Sequence, residues 1–226
     1  MSQISIFDVL GPIMVGPSSS HTAGCAAIGF LAGKIMNEKL KNVEFTLYGS
    51  FAKTYQGHGS DRALLGGILG FKTDDIRIRD SFSYAKAAEI SYSFFPNETE
   101  TDLHPNTVDI LMTDIFDRRM FIRGVSLGGG KIKIIRINNV KVEFTGEYNT
   151  ILVIHQDRPG VIAHITDVLS KENINIAFMR LFREGKGEVA YSVLESDQQL
   201  PSDISKTLSC NPNIHQIIII DRIPIL

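Results

Sequence analysis

TILVIHQDRPGVIAHITDVL, residues 150–169, decides how the second half of this 226-residue chain folds. Its first seven residues, Thr150 to Gln156, are rich in β-branched side chains and read as a strand. Asp157-Arg158-Pro159-Gly160 is a turn. Val161, Ile162, Ile165, Val168 and Leu169 then recur at helical spacing to about Glu172. Downstream, INIAFMRLF (174–182) reads as a second strand, Glu184-Gly185-Lys186-Gly187 as a hairpin turn and EVAYSVLE (188–195) as the returning strand. Pro201 stands at a good first position for a second helix reaching about Ser209, and IHQIIIID (214–221) closes as a strand. The order β-α-β-β-α-β is the split βαβ arrangement of a ferredoxin-like sandwich.

Upstream the pattern is less regular, and the chain as a whole reads as α+β. A helix is expected from Ser20 to about Leu40, a strand at VEFTLYG (43–49) and a helix around Asp61 to Gly70. Residues 76–79 read as a short strand, while SFSYAKAAEISYSFF (81–95) and TVDILMTDIF (107–116) fit either period. MFIRGVSLGGGKIKIIRINNVKVEF (120–144) alternates like strands around a glycine-rich loop at 128–130, with Asn138-Asn139 as a hairpin turn. Gly146-Glu147-Tyr148 is the expected join between two domains, 1–147 and 148–226.

Composition limits the function classes. An apolar fraction of 43% supports packed cores and argues against disorder. A formal net charge of -2 implies no broad basic face for nucleic acid. No apolar stretch approaches the roughly 20 residues that span a bilayer, so no membrane role is expected. MSQISIFDVLGP at the start lacks the basic-then-apolar pattern of a secretory signal, which makes a cytoplasmic protein the expectation. The two cysteines, Cys25 and Cys210, are then expected as reduced thiols. Two cannot by themselves hold a four-cysteine metal or iron–sulfur site. None of the six histidines shows the paired spacing of a zinc-binding helix, so this chain is expected to ligate no metal.

The densest chemistry lies in GPSSSHTAG (16–24). A proline leads into three serines, a histidine and a threonine, then into a small-residue run suited to a tightly packed helix. One serine there can cap the helix. The first N–H groups of a helix point out unpaired and attract anions, carboxylates included. A cap needs one hydroxyl. Ser18, Ser19, Ser20 and Thr22 exceed that need and are candidate contacts for a small anionic substrate, with His21 as a proton-transfer residue beside them. In GHGSDR (57–62) the flanking glycines let the backbone bend and expose His58, although a histidine in a tight turn is the plainer account. Gly57-x-Gly59 lacks the third glycine of a dinucleotide loop, and Gly130-Lys131 lacks the rest of a phosphate loop. HPNT (104–107) is a rigid polar turn in which Asn106 and Thr107 can cap the next segment. Residues 126–130 form either a hairpin loop or a backbone cradle for a ligand.

Two family resemblances join these pieces. The strand and helix order, with HQDRPGVIAHIT (155–166), resembles an ACT domain over about residues 148–223. Such domains pair edge to edge and bind small effectors at the pair interface, although many only hold subunits together. The resemblance implies a homo-oligomer and makes Asp157, Gly160, Val161 and Asn175 effector-site candidates. GPSSSHTAG, GSFAKTYQGHGSDRALLGGILG, HPNT and GVSLGGGKI, in that order ahead of an ACT domain, resemble the beta chain of the iron–sulfur-dependent L-serine dehydratases over nearly the whole sequence. That resemblance implies an N-terminal α/β domain like the accessory substrate-binding domain of some phosphoglycerate dehydrogenases. It implies conversion of L-serine to pyruvate and ammonia, with a [4Fe-4S] cluster ligated by a partner alpha chain and not by this one. It also implies the substrate carboxylate at Ser18, Ser19, Ser20 and Thr22, His21 as acid or base with His58 second, and His104 and Asn106 in support. The alternative is a non-catalytic regulatory serine-binding subunit, or an amino-acid sensor.

Overall fold

The computed structural model describes residues 13–201 and 203–223. The reading of MSQISIFDVLGP as lacking a secretory signal lies outside the described residues. The architecture is α+β, in two compact units that divide between Asn138 and Asn139.

In the first unit a π-helical turn, Ser19–Ala23, runs into helix α1 (Gly24–Met36). The helix expected to reach Leu40 stops at Met36 because Asn37 turns left-handed, at φ 51°, with its N–H bonded to Gly33 O at 3.1 Å. Strand β1 (Leu40–Tyr48) follows, then α2 (Gly49–Thr54) and α3 (Ser60–Ile68). Residues 76–79 are not a strand: Ile76–Asp80 is a 3-10 turn, capped by Asp75 Oδ1 accepting the Arg77 N–H at 2.9 Å. Only one of its two isoleucines turns inward, since Ile78 is buried and Ile76 is 58% exposed. The ambiguous stretch 81–95 divides into α4 (Ser81–Ala87) and β2 (Ser91–Asn97). β3 (Thr107–Asp114), β4 (Arg119–Gly128) and β5 (Lys131–Ile137) complete the unit. The strands lie in the order β2-β1-β3-β4-β5, with β1 and β2 parallel and the other pairs antiparallel.

Helix α1 packs on β4 and β5, and most closely on α3. Glycines make that approach possible. A Cβ on Gly67 would stand 2.5 Å from Phe30 N, and one on Gly33 2.9 Å from Ile68 O. The core between helices and sheet holds Ile28, Leu31 and Ile35 with Phe45, Leu47, Leu64, Ile110 and Ile122, all fully buried.

The second unit opens with β6 (Val140–Phe144). It continues as β7 (Asn149–Gln156), α5 (Val161–Lys171), β8 (Phe178–Arg183), β9 (Val189–Ser196), α6 (Ile204–Leu208) and β10 (Ile214–Ile220). The sheet order is β10-β7-β9-β8, antiparallel throughout, as the split βαβ pattern requires. Ile151, Val153 and Leu194 face Val161, Ile165, Val168, Leu169, Ile204 and Leu208 across the helix side. Two boundaries move. β8 starts at Phe178 instead of Ile174, because Ile174 sits in that core with its N–H on Leu169 O at 2.9 Å, closing the helix. The last helix starts at Ile204 after an Asp203 cap, so Pro201 lies ahead of it. Among the described residues no helix is long and apolar enough to cross a membrane.

Candidate functional site

The π turn is one residue wider than an α-helix. Thr22 N–H reaches Ser18 O at 2.8 Å, but Ala23 N–H bonds the same carbonyl at 3.2 Å, five residues back. Such widened turns recur at functional sites. Ser18 caps it, its Oγ accepting the His21 N–H at 3.0 Å. The His21 ring is then held between two hydroxyls: Nδ1 lies 3.4 Å from Ser18 Oγ and Nε2 lies 2.9 Å from Ser50 Oγ.

Ser50 is itself fixed through both of its backbone groups. Its N–H donates to Pro105 O at 2.7 Å, and its carbonyl accepts from Thr54 Oγ1 at 2.8 Å. Gly49 precedes it at φ +52°, where a Cβ would come within 2.6 Å of Pro105 Cα, so only glycine lets the HPNT turn abut this point. Upstream, Tyr48 OH donates to Asp109 at 2.8 Å while Arg123 Nη2 grips the same carboxylate at 2.6 Å, anchoring the end of β1 that delivers Ser50. The HPNT turn is braced by Thr107 Oγ1 on His104 O at 2.7 Å and by the Asn106 N–H on His104 Nδ1 at 3.2 Å. Asn106 O then accepts the Ser126 N–H at 3.0 Å, and Ser126 Oγ donates to Ser20 O at 2.9 Å. Three segments that are far apart in sequence, around Ser50, Pro105 and Ser126, therefore close around the π turn.

His58 joins from the loop before α3. Thr22 Oγ1 donates to His58 O at 2.9 Å. The His21 and His58 rings lie 4.7 Å apart at 33°, and Phe51 meets His21 edge-on at 5.2 Å. Burial, and then the neighbouring His58, hold the His21 imidazole below its ordinary pKa, so at neutral pH it is uncharged and able to accept a proton. His58 Nδ1 is buried without a hydrogen-bond partner among the described residues, an arrangement that calls for an explanation.

Ser18, Ser19, Ser20, His21 and His58 are half-buried and so within reach of a ligand. Thr22 is buried and its hydroxyl is taken by His58 O. His104 is exposed, and it connects to the cluster through the backbone of its own turn, while Asn106 is half-buried. Ser50 lies outside the candidate residues that the sequence offers, although a Gly-Ser pair directly after a strand is a usable signal. Arg62 and Arg79 lie outside them too; both line a cleft of about 300 Å³ that also takes in Gly16, Thr22 and His58.

In the second unit the effector-site candidates occupy one end of β7 and the approach to β8. Asp157 Oδ2 accepts from Gly187 N–H at 3.0 Å and from Arg183 at 3.1 Å, and these bonds hold its carboxyl below the usual range. Gly160 is exposed at φ 88°, the left-handed start of α5. Val161 is fully buried in the core, so its side chain faces away from solvent. Asn175 is exposed ahead of β8, with its N–H on Gln198 Oε1 at 2.6 Å. Cys25 is buried and Cys210 exposed, both as free thiols, and burial pushes the Cys25 thiol well up. Among the described residues no group of three or more His, Cys, Asp or Glu is placed to hold a metal ion.

Residues 5–135 match the family described as serine dehydratase beta chain, and residues 149–209 match the ACT domain. The chain is 41% identical over 208 residues to the L-serine dehydratase beta chain of Peptoniphilus asaccharolyticus, covering 92% of this chain and 94% of that one. It is 41% identical over 217 residues to the probable L-serine dehydratase beta chain of Bacillus subtilis (strain 168), covering 96% and 98%. It is also 29% identical over 196 residues to D-3-phosphoglycerate dehydrogenase of the same organism, covering 86% of this chain and 37% of that enzyme. The protein therefore belongs to the serine dehydratase beta chain family, with an ACT domain as its second part.

Proposed function

We propose that this chain grips L-serine for a two-chain, [4Fe-4S]-dependent ammonia-lyase of the cytoplasm that forms pyruvate and ammonia. The observation that carries the reading is a neutral, half-open His21 held between Ser18 and Ser50, with the other motifs converging on it. The residues of this chain do not fit the cluster: one of its two cysteines is sealed in the core and the other is exposed and distant in sequence. In this reading the cluster belongs to a separate alpha chain.

The α-proton of serine is only weakly acidic, so its removal needs both a held carboxylate and a positioned base. The hydroxyls of Ser19 and Ser20, at the positive end of the turn and α1, take the carboxylate. Thr22 instead ties the His58 loop to the turn. In the tautomer that carries its hydrogen on Nε2, His21 donates to Ser50 Oγ and keeps the Nδ1 lone pair to accept a proton. His58 is the second group of the pair. His104 and Asn106 support the site through their turn: Pro105 O holds Ser50, and Asn106 O holds Ser126, which bonds Ser20 O. Loss of water leaves an aminoacrylate, which hydrolyses without further catalysis.

Assembly is part of the same proposal. β8 is an edge strand with Phe178, Met179 and Leu181 exposed, and a second copy pairing there would cover them.

The test is reconstitution with an alpha chain under anaerobic conditions and a pyruvate assay. His21→Ala should lower kcat by about 100-fold or more, the usual range for a lost acid or base, with the unfolding temperature close to that of the parent. Near-normal kcat removes His21 from the chemistry. Similarity to D-3-phosphoglycerate dehydrogenase favours one second reading, a regulatory serine site. Under that reading Ser19→Ala and His21→Ala shift the serine response and leave the maximal rate intact.

A further inference from the structure

The cleft beside His58 carries two arginines that the substrate reading does not use. It opens between Gly16-Pro17 and the Gly57-His58-Gly59 loop, holds about 300 Å³, and its lining, among the described residues, includes two arginines and no acidic side chain. Arg62 comes from the first turn of α3 and lies 5.7 Å from the Phe82 ring centre. Arg79 comes from the 3-10 turn and is exposed, without an ion-pair or hydrogen-bond partner among the described residues. The acid beside Arg62 in sequence, Asp61, has one carboxyl oxygen on the Arg62 backbone N–H at 2.7 Å. Both arginines therefore keep guanidinium donors for a ligand. Glycine forms part of the wall. Gly59 stands at φ +67° with nothing within 4 Å of where a Cβ would be, so a ligand can come close to the backbone.

This lining discriminates by charge. L-Serine is a zwitterion without net charge, so a lining with two guanidinium groups and, among the described residues, no carboxylate holds it less strongly than an anion. An anion without an ammonium group keeps its full net charge for both arginines to meet. Two forked cations match a dianion whose oxygens accept several hydrogen bonds at once. The volume lies at the small end of ligand pockets, with room for a phosphate group and a small organic part attached to it.

We propose that the cleft binds a phosphate-type dianion, free or as a small phosphomonoester, separately from the serine position. Its floor is the His58 loop, which Thr22 ties to the π turn and whose ring stacks near His21, so occupancy is felt at the proton-transfer pair. The proposal goes beyond the dehydratase reading and does not depend on it, because binding can be measured on this chain without an alpha partner or turnover.

The experiment is calorimetric titration of the full chain at constant ionic strength with inorganic phosphate, glycerol phosphate, acetate and L-serine. One saturable site for phosphate is expected. Arg62→Gln and Arg79→Gln should each weaken it about tenfold or more, and the double variant should abolish it. Thermal unfolding of each variant checks that it folds. Should Arg62→Gln or Arg79→Gln fail to fold, Arg79→Lys keeps the charge and loses the fork, and should weaken phosphate severalfold. Glycerol phosphate binding more tightly than phosphate assigns the ester as ligand, and weaker binding assigns the free ion. The proposal is overturned if phosphate shows no saturable binding by about 10 mM, if the double variant binds like the parent, or if acetate or L-serine binds as tightly as phosphate.

Discussion

Gly67→Ala gives a sharp test of how the candidate site is held together. Gly67 lies where α3 crosses α1, and the atoms facing it belong to backbone: Ala26 O, Phe30 N and Gly29 C. A Cβ there would stand 2.5 Å from Phe30 N and 2.8 Å from Gly29 C. Ordinary contact between heavy atoms is about 3.5–4.0 Å, so the helices must separate by roughly 1 Å. No side chain can rotate out of the way. Alanine gains about 1 kcal/mol over glycine in a helix interior, while overpacking against rigid neighbours costs about 3 kcal/mol. The net loss is about 2 kcal/mol, or a fall of about 6 °C in the transition of the first unit. Gly57→Ala is the control. Only Thr54 O, at 3.7 Å, lies near its added Cβ, so stability should hold or rise slightly. The assay is calorimetric unfolding of the full chain, with each transition fitted separately. A Gly67→Ala protein as stable as the parent would refute the idea that glycine sets this crossing. Because α1 carries the π turn and α3 follows the His58 loop, the same substitution should also widen the His21–His58 spacing.

Two further outcomes concern the geometry of His21. Ser50→Ala removes the partner of Nε2 and should lower kcat of the reconstituted enzyme about tenfold while shifting the acid limb of its pH–rate profile, with Ser50→Thr restoring part of the loss; an unmoved profile would show that Ser50 does not position the ring. His21 has its pKa lowered in the folded chain from 6.5, so the unfolded state binds the proton more readily. Stability should therefore be full above about pH 6.5 and decline as pH falls from there towards the lowered folded value, and urea titrations of His21→Ala should show a flatter dependence over that window.

The second unit is largely legible in the sequence because its signals are local. Thr150 to Gln156 is rich in β-branched residues beside a Pro-Gly turn, and the apolar spacing from Val161 to Leu169 has one interpretation. Legibility fails where a short element has no room for a period. Six residues from Gly49 to Thr54 form a helix that is fixed mainly from outside, by Pro105 O accepting two of its N–H groups. Ile76 and Ile78 alternate like a strand, yet an aspartate cap and a local Arg77–Asp75 pair wind them into a turn. At the site, residue types are readable and adjacency is not. Ser20 and Ser126 are 106 positions apart, and nothing in either neighbourhood announces their bond. Ser50, Arg62 and Arg79 are ordinary residues until the fold assembles them around His21 and His58.

The surplus residue in the Ser19–Ala23 turn acts as a key for chain length. A regular helix advances about 100° and 1.5 Å per residue. Deleting one residue there would let the coil relax to its normal pitch, swinging Val15 to Ser18 by that angle around the axis and drawing the Val15 N–H away from Thr73 O. This stretch therefore fixes how many residues it must contain as well as which side chains it carries.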